Sequence, residues 1–240
     1  MILNSSGIVL SSLRYSDSSV IARIYTKEKG LRAFMVRTGK GKNALSKLSL
    51  LQPLSLVEIS FSNDEWKNLH TLRNIERESA LLSIPFDPVK TCIALFVSEI
   101  IGRSIGEEET NTELFKFLRS SILLLDDHQA SPANFHLKFM IEFSRFLGFY
   151  PQPQEAGELY FDLAEGEFTR SEPFHPHVIE EPLTTVFNKL LLVGMSSFDA
   201  VKMSNEQRRT LVQKLIDFFR FHLDGMKEIT SHKVLEEVLG

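Results

Sequence analysis

Residues 19–37 read SVIARIYTKEKGLRAFMVR. A run of eight and a run of seven, rich between them in Val, Ile, Phe, Tyr and Leu, flank the tetrad KEKG at 27–30. That is the pattern of two short strands joined by a hairpin-type turn, with Gly30 free to take the positive φ that tight turns demand. Three further runs of the same kind surround it. SGIVLSSL (6–13) precedes it, and LSLVEISF (54–61) and NLHTLRNIE (68–76) follow, separated by Ser, Asp, Asn and Gly. Five strands within about 75 residues, with no helical periodicity between most of them, predict a small Greek-key barrel of the oligonucleotide-binding (OB) type.

After Ile84 the rhythm changes. Asp87-Pro88 reads as an N-cap with proline at the first helical position, and Val89, Cys92, Ile93, Phe96, Ile100 and Ile101 follow at helical spacing. Thr110-x-x-Glu113 has the form of a capping box ahead of LFKFLRSSILLL. Ser131-Pro132 opens FHLKFMIEFSRFL, which ends at Gly148. LTTVFNKLLLVG is a shorter helix, Ser204-x-x-Gln207 caps EQRRTLVQKLIDFFRFHL, and HKVLEEVLG closes the chain. Residues 151–182 hold Pro151, Pro153, Pro173, Pro176 and Pro182 around LYFDLAEGEFTR, a small hairpin turning at Glu165-Gly166. The expected architecture is α+β and multidomain. An OB barrel over residues 1–80 precedes a helical domain over 81–240, with a β-hairpin insertion at about 151–182.

Hydrophobic residues at 43% and charged residues at 24% fit an ordinary globular chain of 240 residues. The N-terminus has no basic segment leading into an apolar core, which argues against a secretory signal. No apolar run approaches the roughly 20 residues that cross a bilayer, so no membrane is expected. The single Cys92 excludes an internal disulfide framework and fits a reducing cytoplasm.

The charge is segregated. Residues 1–80 hold twelve Lys and Arg against seven Asp and Glu, a net of +5; residues 81–240 hold fifteen against twenty-four, a net of −9. Between Glu28 and Glu58 there is no acid, yet Lys29, Arg32, Arg37, Lys40, Lys42 and Lys47 all fall there. A basic barrel on an acidic chain points to a polyanionic partner, against the alternatives of a merely solvated loop or a protein-binding surface. In 19–26, alternation places Arg23 and Tyr25 on one face, a phosphate contact beside a ring able to stack on a base. The glycine-flanked segment 38–43 would carry Lys40 and Lys42 at a flexible tip. The expected DNA-contacting set is Arg14, Arg23, Tyr25, Arg32, Arg37, Lys40, Lys42 and Lys47.

Catalytic patterns are missing. Gly39-Lys40 has Phe34, and Gly41-Lys42 has Val36, where a P-loop needs glycine. Glu107, Glu108 and Glu109, and Glu180 with Glu181, read as solvated acidic turns rather than an acid–base pair. His175 and His177 read as solvated loop residues rather than metal ligands, and Cys92 as a small buried apolar residue. No catalytic residue, metal or cofactor is expected. A hydrolase built on ungrouped carboxylates and a protein–protein adapter are the rival readings.

The stretch GIVLSSLRYSDSSVIARIYTKEKGLRAFMVRTGKGK, followed by LSLLQPLSLVEI, resembles the N-terminal barrel of the RecO family of bacterial recombination mediators. FMIEFSRFLGFYP resembles the family's central helical domain, and YFDLAEGEF and FHLDGMKEITSHKVLEEV extend the similarity over essentially the whole chain. The resemblance implies a non-enzymatic protein of DNA repair and recombination that binds single- and double-stranded DNA and anneals complementary strands. It further implies work with RecR to load recombinase onto strands covered by single-strand-binding protein, whose acidic C-terminal tail would dock on the helical domain. Arg119, Lys138, Arg145, Arg208, Arg209 and Lys214 are candidates for a basic rim around that tail. Some relatives bind zinc through four cysteines in the insertion. Here the insertion has none, a degenerate zinc-finger-like region expected to hold by packing of Tyr160, Phe161 and Phe168.

Overall fold

The computed structural model describes residues 2–39, 42–62, 66–106, 110–127, 129 and 131–239, without the side chains of Lys42 and Asn43. Five strands, β1 (Ile2–Ser16), β2 (Ser19–Thr26), β3 (Gly30–Arg37), β4 (Leu56–Ser62) and β5 (Leu69–Arg77), close a barrel in the order β1-β2-β3-β5-β4. This is the expected OB barrel. All neighbours are antiparallel except β3 and β5, which run parallel through Ala33–Leu69, Phe34–His70 and Met35–Thr71.

Alternation builds the core. Val20, Ala22 and Ile24 of β2, Phe34 and Val36 of β3, Val57, Ile59 and Phe61 of β4, and Leu72 and Ile75 of β5 point inward and are buried. Strand β1 serves two neighbours, pairing with β4 along its first half and with β2 along its second. At Gly7 in this crossing, an added Cβ would lie 2.7 Å from the Ile24 side chain, so only glycine permits the approach. The KEKG turn forms as expected: Gly30 has φ +63, and the Thr26 hydroxyl donates to the Gly30 carbonyl at 2.8 Å.

One element between the strands departs from the reading above. Residues 42–49 form a short helix, α1 (Lys42–Ser49), so the basic segment is part helix rather than an open loop throughout.

The helices follow as α2 (Pro88–Ser104), α3 (Thr112–Asp127), α4 (Phe135–Leu147), α5 (Leu183–Leu192), α6 (Asn205–His222) and α7 (His232–Leu239). The capping box expected from Thr110 is replaced by Asn111, whose side-chain oxygen accepts from the Leu114 N–H at 2.9 Å. The box at Ser204 and Gln207 forms in both directions. No described helix is long and apolar enough to cross a membrane.

The chain divides into two compact units, Met1–Asp87 with Ala94–Asp127, and Pro88–Ile93 with His128–Gly240. In the first, the barrel shares its unit with α3 and the larger part of α2. The connection leaving the barrel is pinned by Asp126, whose carboxylate accepts the N–H groups of Leu82, Ser83 and Ile84 at 2.7, 2.8 and 2.9 Å.

The second unit is organised around α4, where Phe135, Phe139 and Phe143 stack in sequence. Its hairpin, β6 (Tyr160–Asp162) and β7 (Glu167–Thr169), turns at Gly166 with φ +77. It gains a third strand, β8 (Val178–Ile179), that the sequence reading lacked. Phe161, fully buried, meets the rings of Phe168, Phe187 and Phe218, whereas Tyr160 is only half-buried. The insertion therefore holds on Phe161 and Phe168.

Candidate nucleic-acid interface

The last residue of β3, Arg37, is exposed, and α1 lies beside it. Lys47 Nζ donates to the Arg37 carbonyl at 3.0 Å. The parallel closure of β3 on β5 then brings in Arg73, because Met35 pairs with Thr71 and each arginine lies two residues further along its strand. A β-bulge helps aim it: β4 and β5 slip register between Ser60–Asn74 and Phe61–Leu72, leaving Arg73 as the extra residue. Its Nε donates to Ser62 Oγ at 3.0 Å. Arg37, Lys47 and Arg73 line one open groove together with Thr71 and Asn74, and no carboxylate is among its described lining residues. Three cations over a polar, open floor suit the oxygens of an extended anion, since phosphate contacts ask for charge and donors rather than an enclosed pocket.

Arg14 lies nearby but on the other face of the β1–β2 hairpin. It lines a second groove with Ser12, Thr38, Gly39, Ala44 and Leu48, and pairs with the exposed Asp17 at 3.4 Å on the surface.

The remaining expected residues part from this cluster. Arg23 and Tyr25 do share a face, as alternation requires, but helices of the same unit cover it. Arg23 Nη1 donates to the Gly102 carbonyl of α2 at 3.3 Å. Tyr25 is 1% exposed, its ring stacked on Phe115 of α3 at 6.2 Å and its hydroxyl on the Asn111 carbonyl at 3.5 Å. As a base-stacking platform Tyr25 is therefore corrected: it is a packing residue. Arg32 is half-buried, with Nε on the Lys29 carbonyl at 3.2 Å. It stands five positions from Arg37 along β3, roughly 17 Å away on the opposite parity. Lys40, and the side chain of Lys42, lie outside the described residues.

Arg73 escaped the sequence reading because it sits outside the acid-free segment, and neither the β3–β5 closure nor the bulge leaves a local signature.

In the second unit, Lys138 is fully buried and spent on Glu142 at 2.6 Å and the Leu190 carbonyl at 2.9 Å, so it forms no part of an exposed rim. Arg145 lies over the Tyr150 ring at 3.8 Å. Arg208 and Arg209 line a narrow cleft with His136, Val212 and Leu235 between α4, α6 and α7. There, burial and the charge of Arg208 push the His136 imidazole down to about 3. Arg119 belongs to the first unit and pairs with Glu78 at 2.6 Å.

Of the groups weighed for chemistry, His175 bonds Asp162 at 3.1 Å, and Glu181 accepts from Thr185 at 2.7 Å. Cys92 is half-buried rather than fully buried, with burial raising its thiol pKa. Glu107, Glu108 and Glu109 lie outside the described residues. Among the described residues, no three His, Cys, Asp or Glu side chains converge as a metal site would require.

Comparison with known proteins covers both units. The family described as "Recombination protein O N terminal" matches residues 1–80, and "Recombination protein O C terminal" matches residues 85–229. Among similar curated proteins, the DNA repair protein RecO of Phocaeicola vulgatus is 33% identical over 241 residues, covering 100% of both chains. That of Flavobacterium psychrophilum is 32% identical over 242 residues, again 100% of both, and that of Bacteroides fragilis 35% over 241, 99% of both.

Proposed function

Because the chain belongs to the RecO family of DNA repair proteins, we propose that it is a non-enzymatic DNA-binding mediator whose barrel holds DNA by its phosphates. The observation that carries this is the convergence of Arg37, Lys47 and Arg73 on one groove free of described carboxylates. Lysine and arginine there displace condensed counterions from the phosphate chain, and the entropy of their release drives binding. A grip of this kind is indifferent to sequence, which suits a protein that must act wherever damage occurs. Holding a strand by its backbone also leaves base edges open for pairing with a complement, the requirement for annealing.

On the same reading the protein works in the cytoplasm with RecR, takes both single- and double-stranded DNA, and helps load recombinase onto strands covered by single-strand-binding protein. The acidic tail of that protein would meet Arg208 and Arg209 at the α4–α6–α7 cleft, where the two cations border Val212, Leu235 and Leu239 beside the carboxylate of Glu236. The test is annealing of complementary strands precoated with single-strand-binding protein. Acceleration that depends on that protein's C-terminal tail supports the mediator. Acceleration neither of coated nor of bare strands, with salt-independent DNA binding, would leave a protein–protein adapter as the reading.

A further inference from the structure

We propose that Tyr15 is the base-stacking residue of the barrel and gives it a preference for single strands over duplex. This rests on the DNA-binding reading above and adds to it a residue and a form of DNA. Tyr15 lies near the end of β1, where that strand pairs with β2 alone, and its side chain is 65% exposed. It lines a cleft with Ser18, Ser19, Met35, Arg37 and Gly39, and Arg37 also lines the groove of Lys47 and Arg73. Ring and cations thus border one continuous track, joined at Arg37.

The track crosses β1, β2, β3 and β5, three strand spacings or about 14 Å, enough for a few nucleotides. Beside the ring, the register sets Leu13, Ile21 and Met35 in one row on the outer face of the sheet, with Leu13 73% exposed. Asp17, the nearest acid along the chain, lines the groove of Arg14 on the other side of the hairpin.

An exposed ring flanked by apolar side chains gains from covering by another flat apolar surface, and an unpaired base is such a surface with a phosphate attached. In duplex the bases already stack on each other and offer the protein only edges and backbone. The ring therefore favours single strands, while Arg37, Lys47 and Arg73 serve both forms. Tyr25, the other tyrosine of the hairpin, is sealed against Phe115 and has no face to offer.

The experiment compares full-length wild type, Tyr15→Ala, Tyr15→Trp and Arg37→Gln by fluorescence anisotropy. The probes are a labelled oligothymidine of roughly 20 nucleotides, longer than the 4–16 that such a barrel covers, and a duplex of equal length. Tyr15→Ala should weaken single-strand binding by roughly tenfold or more and leave duplex binding within about twofold. Tyr15→Trp should retain single-strand affinity, and both variants should melt as wild type does because the site is exposed. Arg37→Gln should weaken both forms. Equal loss on both probes, or no loss on either, in Tyr15→Ala overturns the stacking role while leaving the DNA-binding reading intact if Arg37→Gln is impaired. A wild type that binds neither probe overturns both.

Discussion

Lys47 Nζ sits 3.0 Å from the carbonyl oxygen of Arg37, so two cations ten residues apart are held at one end of β3. The bond ties Lys47 to the end of β3 and takes one of the three ammonium hydrogens, leaving the others for an anion. Just past α1, Leu51 is buried in the barrel core with Leu50 packed against it, so the helix that carries Lys47 is anchored beside Arg37 as well.

Tyr25 gives a prediction that separates packing from binding. Its ring is buried against Phe115, so Tyr25→Ala should lower stability by about 3–5 kcal/mol, the range for buried aromatic truncations. Tyr25→Phe keeps the ring and removes the hydroxyl bonded to the Asn111 carbonyl, a cost of about 1 kcal/mol or less. Urea titration measures both, and a near-neutral Tyr25→Ala would contradict the burial.

Asp126 holds three backbone N–H groups at the exit of the barrel. Burial pushes its carboxyl pKa up, yet the bonds to Ile84, Leu82 and Ser83 bring it below the usual value on balance. Asp126→Ala leaves those donors without the carboxylate and should cost about 1–3 kcal/mol. Amide exchange at residues 82–84 should rise with it. An unchanged exchange pattern would contradict this role.

His136 makes stability acid-sensitive. Burial first, and the Arg208 charge second, hold its imidazole at about 3, against 6.5 for an unperturbed histidine. The unfolded chain therefore binds a proton that the folded one refuses as pH falls below about 6.5, and stability falls until the folded pKa is reached. At about 1.4 kcal/mol per unit this amounts to about 2 kcal/mol by pH 5. His136→Gln is less stable in absolute terms but should show a shallower loss between pH 7 and pH 5 in urea titrations. An equal slope would assign the acid sensitivity to other groups.

The insertion holds by aromatic packing, so chelators should leave the melting curve unchanged while Phe161→Ala lowers stability by about 3–5 kcal/mol. The insertion's lack of cysteine motivates the first expectation and the rings around Phe161 the second. Stoichiometric zinc in the purified protein, with melting lowered on its removal, would contradict it.

What the sequence makes legible follows the range of the physics involved. Strands β2 and β3 and their turn stand where residues 19–37 put them, because alternation and Gly30 are local. The Ser204 cap is local too. Tyr25 misleads because alternation assigns a face without saying what covers it, and here α3 does. Arg73 stays hidden because the closure that brings it to Arg37 joins residues 36 positions apart in sequence. The extra residue that aims it outward is a matter of register between β4 and β5.

The most direct test of the account is the salt dependence of DNA binding in the triple variant Arg37→Gln, Lys47→Gln, Arg73→Gln. All three side chains are exposed, so folding should change little, which a melting curve checks. Plotted as log affinity against log salt on a single-stranded probe, each lost phosphate contact lowers the slope by about 0.7, so three contacts lower it by about 2. The folded variant should bind every sequence more weakly, with a slope flatter by about that amount. A folded variant with wild-type affinity and wild-type slope would contradict this, and the groove would be solvated surface.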